Sequence, residues 1–228
     1  MLEYIKRNYE CLCREIDEAV KIRGGGDVLL VAVTKSGSDE ELLALIEAGA
    51  SDIGENRPQE LVRRGELLRA EGHTPRLHEI GNLQKNKVRH IIESVHMIHS
   101  VDSLELAKEI DKRAKAIGRR VPILIEVNSG REEAKGGVMP EDAEELFLEV
   151  RKLDSLIVSG IMTMGPVTDD PENLRPYFRK TRELFDRLNT TYGFEGKPTL
   201  SMGMSDSFRV AIEEGSTLVR VGSRIFKK

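Results

Sequence analysis

Two hydrophobic rhythms take turns along the chain. Residues 3–22 spread apolar side chains among charges in the manner of an amphipathic helix, and Gly24-Gly25-Gly26 closes it. Residues 28–34 (VLLVAVT) then form a near-continuous apolar and β-branched run, the signature of a strand buried on both faces. Ser38-Asp39-Glu40-Glu41 supplies a cap residue and early acids for a second helix, which Gly49 ends. A short strand around 51–53 leads to a helix over 57–70. The unit recurs as strands 76–80, 96–100, 121–127, 155–162 and 199–202, followed by helices 84–93, 103–117, 140–150, 172–189 and 206–213. A last strand, 217–221, lies just before the C-terminus.

Strands alternating with helices throughout imply a parallel sheet. Eight such units with an extra helix in front fit a closed α/β (β/α)8 barrel (TIM barrel), and 228 residues make it compact against the usual span of about 250. A doubly wound open sheet is the alternative. Its glycine-rich first loop is missing, since the first strand runs into TKSGSDEE. No proline-rich linker or break in composition divides the chain, so residues 1–228 read as one domain.

Composition removes several function classes. Hydrophobic residues at 39% and charged residues at 32% are ordinary for a folded domain. A formal net charge of -4 argues against broad nucleic-acid wrapping. No uncharged run is long enough to span a membrane, and the charged N-terminus lacks an apolar signal core, so a cytoplasmic protein is expected. Cys11 and Cys13 would point in different directions on a helix, which disfavours a disulfide between them. The five histidines include no HExxH, and no metal site is expected.

In a barrel of this kind chemistry collects where strands end. Strand one closes on Lys35, whose amine would sit at the barrel mouth; partial desolvation there would make it a nucleophile for a carbonyl, and the alternative is a lysine that snorkels to solvent. The last strand closes on Arg220-Val221-Gly222-Ser223, either a phosphate seat or a turn into a C-terminal cap. Arg220 inside a strand demands a partner, and a structural salt bridge would satisfy it. Met202–Ser205 either lines the same seat or serves as core filler and helix cap. His78 has the strand-end position of a ligand contact, and Asn56 and Asn82 orient loops or bind ligand. Glu126 and Asn128 end the fifth strand.

These segments lie in an order that resembles a known family. VAVTK (31–35), GENRPQE (54–60), HEIGNLQKNK (78–87), IHSVDS (98–103), EVN (126–128) with Lys135 and Gly137, SMGMS (201–205) and AIEEGSTLVRVGSRIF (211–226) are similar to the YggS/PROSC-type pyridoxal 5'-phosphate (PLP) homeostasis proteins. The resemblance implies a monomeric alanine-racemase-like barrel that holds PLP as an internal aldimine. It would put Lys35 in the Schiff base, Arg220 near the pyridine nitrogen, Ser201 with the backbone of Gly222 and Ser223 on the phosphate, and Asn56 and His78 beside the ring. Three positions depart from the family pattern. Glu79 stands where an aromatic is usual, Ser207 follows Asp206 where a second acid is common, and the serine before Lys135 is missing.

The resemblance also implies a carrier rather than an enzyme. Arginine keeps its proton and leaves the ring nitrogen unprotonated, which weakens the electron sink that racemases and decarboxylases use. A racemase needs a second acid–base group, a tyrosine in the related barrels, and the four tyrosines here (4, 9, 177 and 192) fall in helices or a connecting loop. The implied protein binds, buffers or delivers PLP, touches PLP-dependent apoenzymes transiently, and has no nucleic-acid or membrane partner. A small PLP-dependent racemase and a Schiff-base aldolase without PLP are the alternatives.

Overall fold

The eight strands close on themselves. In the computed structural model, which describes residues 2–132 and 135–228, β1 (Leu29–Val33), β2 (Asp52–Glu55), β3 (Arg76–Glu79), β4 (Met97–Val101), β5 (Val121–Val127), β6 (Leu156–Thr163), β7 (Thr199–Ser201) and β8 (Leu218–Val221) follow one another round a closed barrel. Every pairing is parallel, and β8 returns to β1 with Val31 opposite Arg220. The open-sheet alternative is therefore set aside.

Helices α2 (Asp39–Glu47), α3 (Pro58–Ala70), α4 (Val88–Ile91), α5 (Leu104–Ala116), α6 (Ala143–Val150), α7 (Arg175–Tyr192), α8 (Phe208–Glu213) and α9 (Ser223–Phe226) follow the strands in turn. The front helix, α1 (Glu3–Arg23), buries Ile5, Leu12, Ile16 and Ala19 and packs across α8, α9 and α2. Ser38 caps α2 in a reciprocal box with Glu41. Along α7, Phe178, Thr181, Leu184, Phe185 and Leu188 form the buried stripe.

Some helix boundaries move. The expected helix over 84–93 is a 3-10 turn, Lys85–Lys87, running into the four-residue α4. Helix 206–213 starts at Phe208, because the Ser207 and Phe208 amides first bond the Met204 carbonyl in a turn. Cys11 and Cys13 are free, the first exposed and the second half-buried on α1. No helix among the described residues is long and apolar enough to cross a membrane.

The large apolar core lies between strands and helices, while Met97, Leu124 and Met162 form a separate small cluster on β4, β5 and β6. Polar side chains share the barrel interior. Asp52, His78, His99, Ser201 and Arg220 are each almost wholly buried. The contact between Ser201 and His99 joins β7 to β4, strands that are not neighbours, so it crosses the interior.

Candidate ligand-binding site

Where the strands end, a cavity of about 370 Å³ opens, within the usual range for small-molecule sites, roughly 300–1,000 Å³. Lys35, Asn56, Glu126, Arg220, Gly222 and Ser223 line it, with Val33, Ile80, Met164 and Met204 as apolar wall. Five of the seven residues that the resemblance assigned to the ligand thus line one cavity. Lys35 is exposed at the rim, so the burial expected around its amine is not found.

Backbone approaches explain the glycines here. A Cβ on Gly222 would lie 2.6 Å from the Val33 carbonyl oxygen, and one on Gly81 only 2.3 Å from that of Asn56. Side-chain-free residues at these two points let the β8 and β3 loops close against β1 and β2. The Gly222 N–H donates to Ser205 Oγ at 3.3 Å. Ser205 therefore joins Gly222 and Ser223 at the rim, which settles its sequence alternatives in favour of lining the cavity.

Ser201 and His78 stand elsewhere than the resemblance implied. Ser201 is fully buried behind Arg220 and does not line the cavity. Its hydroxyl accepts from Arg220 Nη1 and lies 3.2 Å from His99 Nδ1. His78 faces the opposite end of the barrel, where a second cavity of about 380 Å³ is lined by Arg76, His78 and His96. The physical reason is depth along the barrel: both side chains point inward, but below the rim.

Together they form one chain of contacts. His99 Nε2 lies 3.0 Å from His78 Nδ1, and His78 Nε2 lies 2.9 Å from Asp52 Oδ1. Arg76 closes it with two bonds to Asp52, at 2.7 and 2.6 Å. Burial pushes the Asp52 carboxyl up, but the hydrogen bonds from His78, Arg76 and Ser51 outweigh it and hold the group well below the usual carboxylate range. Asp52 is thus an anion that only accepts. Arg220 only donates. One assignment that satisfies every link directs each proton away from Arg220 and toward Asp52. Burial first, then the neighbouring His78 and Arg220, hold His99 well below its ordinary value, in keeping with a neutral ring.

Arg220 has no carboxylate within salt-bridge distance among the described residues. Its second Nη donates to the Thr163 carbonyl at 3.0 Å, so the salt bridge considered from sequence is replaced by neutral acceptors. Burial pushes its guanidinium down to about 10, against the raising influence of Glu126. It remains a cation at neutral pH.

Two buried carboxyls, Glu126 at a strand end and Glu79 as a departure from the family pattern, were named in the sequence without a role. Glu126 is 5% exposed on the cavity wall; burial, reinforced by Asp102 and opposed by Arg220, raises it to about 7. Glu79 sits opposite Glu55 in the β2–β3 register, fully buried, and accepts from the Gly81 N–H at 3.2 Å. Burial raises it to about 8; the Gly81 bond opposes this and Glu55 adds to it. Strand-end position marked Glu126, but nothing in the spacing marked its isolation.

Residues 3–228 match the family model of the alanine racemase N-terminal domain. The chain is 44% identical over 204 residues to the pyridoxal phosphate homeostasis protein of Aquifex aeolicus, covering 90% of this chain and 88% of that one. It is 34% identical to the protein of the same name from Helicobacter pylori, covering the whole of both chains. Among solved structures, PipY of Synechococcus elongatus with PLP bound superposes with a TM-score of 0.80 at 28% identity, over 93% of this chain and 99% of that one.

Proposed function

The chain belongs to the pyridoxal phosphate homeostasis proteins, built on the alanine racemase N-terminal domain, and on that footing we propose that it binds PLP through Lys35 and serves intracellular PLP and vitamin B6 homeostasis. The observation that carries the proposal is the sharing of one cavity by a primary amine, a cation with neutral partners and a hydroxyl-rich turn: Lys35, Arg220 and Ser205 with Gly222–Ser223. These residues fit the group. PLP supplies an aldehyde for an amine, a ring nitrogen that accepts a hydrogen bond, and a phosphate. Lys35 would take the aldehyde, Arg220 would donate to the ring nitrogen, and Ser205, Ser223 and the Gly222 backbone would hold the phosphate. Asn56 is placed to bound the ring at the rim.

Ser201 and His78 support this arrangement from behind. Ser201 accepts from Arg220 and fixes the guanidinium plane. His78, in place of a ring contact, anchors the interior chain on Asp52. We read the protein as a carrier rather than an enzyme, acting in the cytoplasm as a monomer and meeting PLP-dependent apoenzymes transiently. None of its four tyrosines lines the cavity, so a racemase's tyrosine acid has no counterpart there.

The test is direct. Purified protein mixed with PLP should turn yellow, and borohydride reduction should fix the adduct on Lys35, located by mass spectrometry. Lys35→Ala should abolish the adduct while the protein stays folded. Absence of PLP uptake, or an adduct confined to other lysines, would overturn the assignment.

A further inference from the structure

We propose that Glu126 is the proton-exchanging residue of the cavity and sets the rate at which Lys35 takes up and releases its carbonyl ligand. The proposal rests on the reading of Lys35 as the group that engages PLP, and it adds to that reading the means by which the ligand gets on and off.

Glu126 is held firmly by its backbone and left free at its side chain. Its carbonyl accepts from the Val138 N–H at 2.8 Å, and the Asn128 N–H donates to the Val138 carbonyl at 2.9 Å, clamping the end of β5. The carboxyl makes no hydrogen bond or ion pair with any described residue, although it is almost wholly buried and borders the same cavity as Lys35. Buried carboxylates are ordinarily paired. Gly136 lies beside it, where a Cβ would make ordinary contacts of 3.7 Å with both Glu126 oxygens and with Asp102 Oδ2.

Two charged groups act on it, Asp102 from the turn after β4 and Arg220 from β8, and Lys35 borders the same cavity from the end of β1. Lys135, next to Gly136, turns its amine away to Glu132 and the Gly165 carbonyl. His99, behind Arg220, is neutral. In this setting the carboxyl is raised to about 7 by burial and Asp102 against Arg220. Both its acid and its base form are therefore present at neutral pH, the condition under which a proton-transfer group works in either direction.

The chemistry balances with Glu126 unchanged. In uptake the Lys35 nitrogen bonds to the aldehyde carbon and sheds its two protons, while the aldehyde oxygen departs as water. Glu126 gives a proton to the departing oxygen and recovers one from the nitrogen. Release runs the same exchange backwards, with water as reactant. A residue acting in this way accelerates both directions by one factor and leaves the equilibrium alone.

Stopped-flow absorbance of the protein mixed with PLP, at several PLP concentrations and from about pH 5 to 9, yields uptake and release rates, and equilibrium titration yields affinity. Glu126→Gln should slow uptake and release together by at least about tenfold, leave affinity within about twofold, and remove the inflection near neutral pH. Glu126→Asp should keep the inflection. The idea is overturned if Glu126→Gln retains the wild-type rates and profile, or if it changes affinity while the pH profile of the rate persists. Should Glu126→Gln fail to fold, a wild-type rate with no inflection near neutrality overturns it equally. If the wild-type protein takes up no PLP at Lys35, the functional reading itself falls; normal uptake with an indifferent Glu126 sinks this inference alone.

Discussion

Arg220 and His99 meet on either side of a single hydroxyl, that of Ser201. Since a guanidinium has no acceptor, Ser201 Oγ receives from Arg220, and its second contact is with His99 Nδ1. Removing that hydroxyl leaves a buried imidazole nitrogen unpaired and Arg220 with one acceptor fewer. Ser201→Ala should cost about 1–3 kcal/mol of stability, read from the urea midpoint. It should also shift the absorbance of bound PLP, because the guanidinium loses its fixed plane. An unchanged midpoint would contradict the hydrogen-bond order assigned to the interior.

Asp52 anchors the far end of that order, and its depressed folded pKa gives a signed pH effect. A depressed carboxylate contributes stability that is present above its unfolded value, about 3.9, and is lost as pH falls through the folded one. Wild-type stability should therefore drop below about pH 4. Asp52→Asn should be less stable at neutral pH by about 1–3 kcal/mol and show a shallower acid limb. Equal acid limbs in urea titrations at several pH values would refute this.

Glu79 acts in the opposite sense. Its folded value of about 8 lies above that of an unfolded glutamate, about 4.3, so the folded state binds the extra proton between those values. Stability should fall as pH rises across that window, with Glu126 contributing over its lower part. Glu79→Gln keeps the shape and an acceptor for the Gly81 N–H without a charge to bury. It should flatten the decline and raise the urea midpoint most at about pH 9. A variant that declines as steeply as wild type would assign the slope elsewhere.

Gly81 packs against the Asn56 backbone at a distance no Cβ tolerates. Gly81→Ala should push the loops after β2 and β3 apart, cost about 1–3 kcal/mol, and weaken PLP uptake by about tenfold or more, a loss of about 1.4 kcal/mol in binding. Titration and thermal melting on the same sample check both. Wild-type affinity would mean that Asn56 does not bound the ligand.

Much of this was legible because barrel strands are local features. VLLVAVT and VPILIEV announce themselves by composition, and β1 and β5 fall within a residue of the runs read from sequence. The rim residues Lys35, Arg220, Gly222 and Ser223 were found because strand ends are where a barrel puts its chemistry. His78 and Ser201 were misplaced for a related reason. Periodicity gives the face a side chain points to, but not how deep in the barrel it lies. Their partners are also remote: His78 and His99 are 21 positions apart, and His99 and Ser201 are 102 apart. Such pairs exist only once the barrel has closed. The isolation of Glu126 was hidden likewise, since it depends on what the other strand ends do not supply.

The interior chain has a consequence for how the barrel assembles. Apolar layers fit together in more than one stagger, and methionines such as Met97 and Met162 adapt to several. Arg220, Ser201, His99, His78 and Asp52 belong to β8, β7, β4, β3 and β2, and each meets its named neighbour at one height. Sliding any of these strands by one layer would strand a buried donor or an unpaired charge. The polar thread therefore works as a key to the register: among the closures that greasy packing would accept, it admits the one that also brings Lys35 and Arg220 to the same rim.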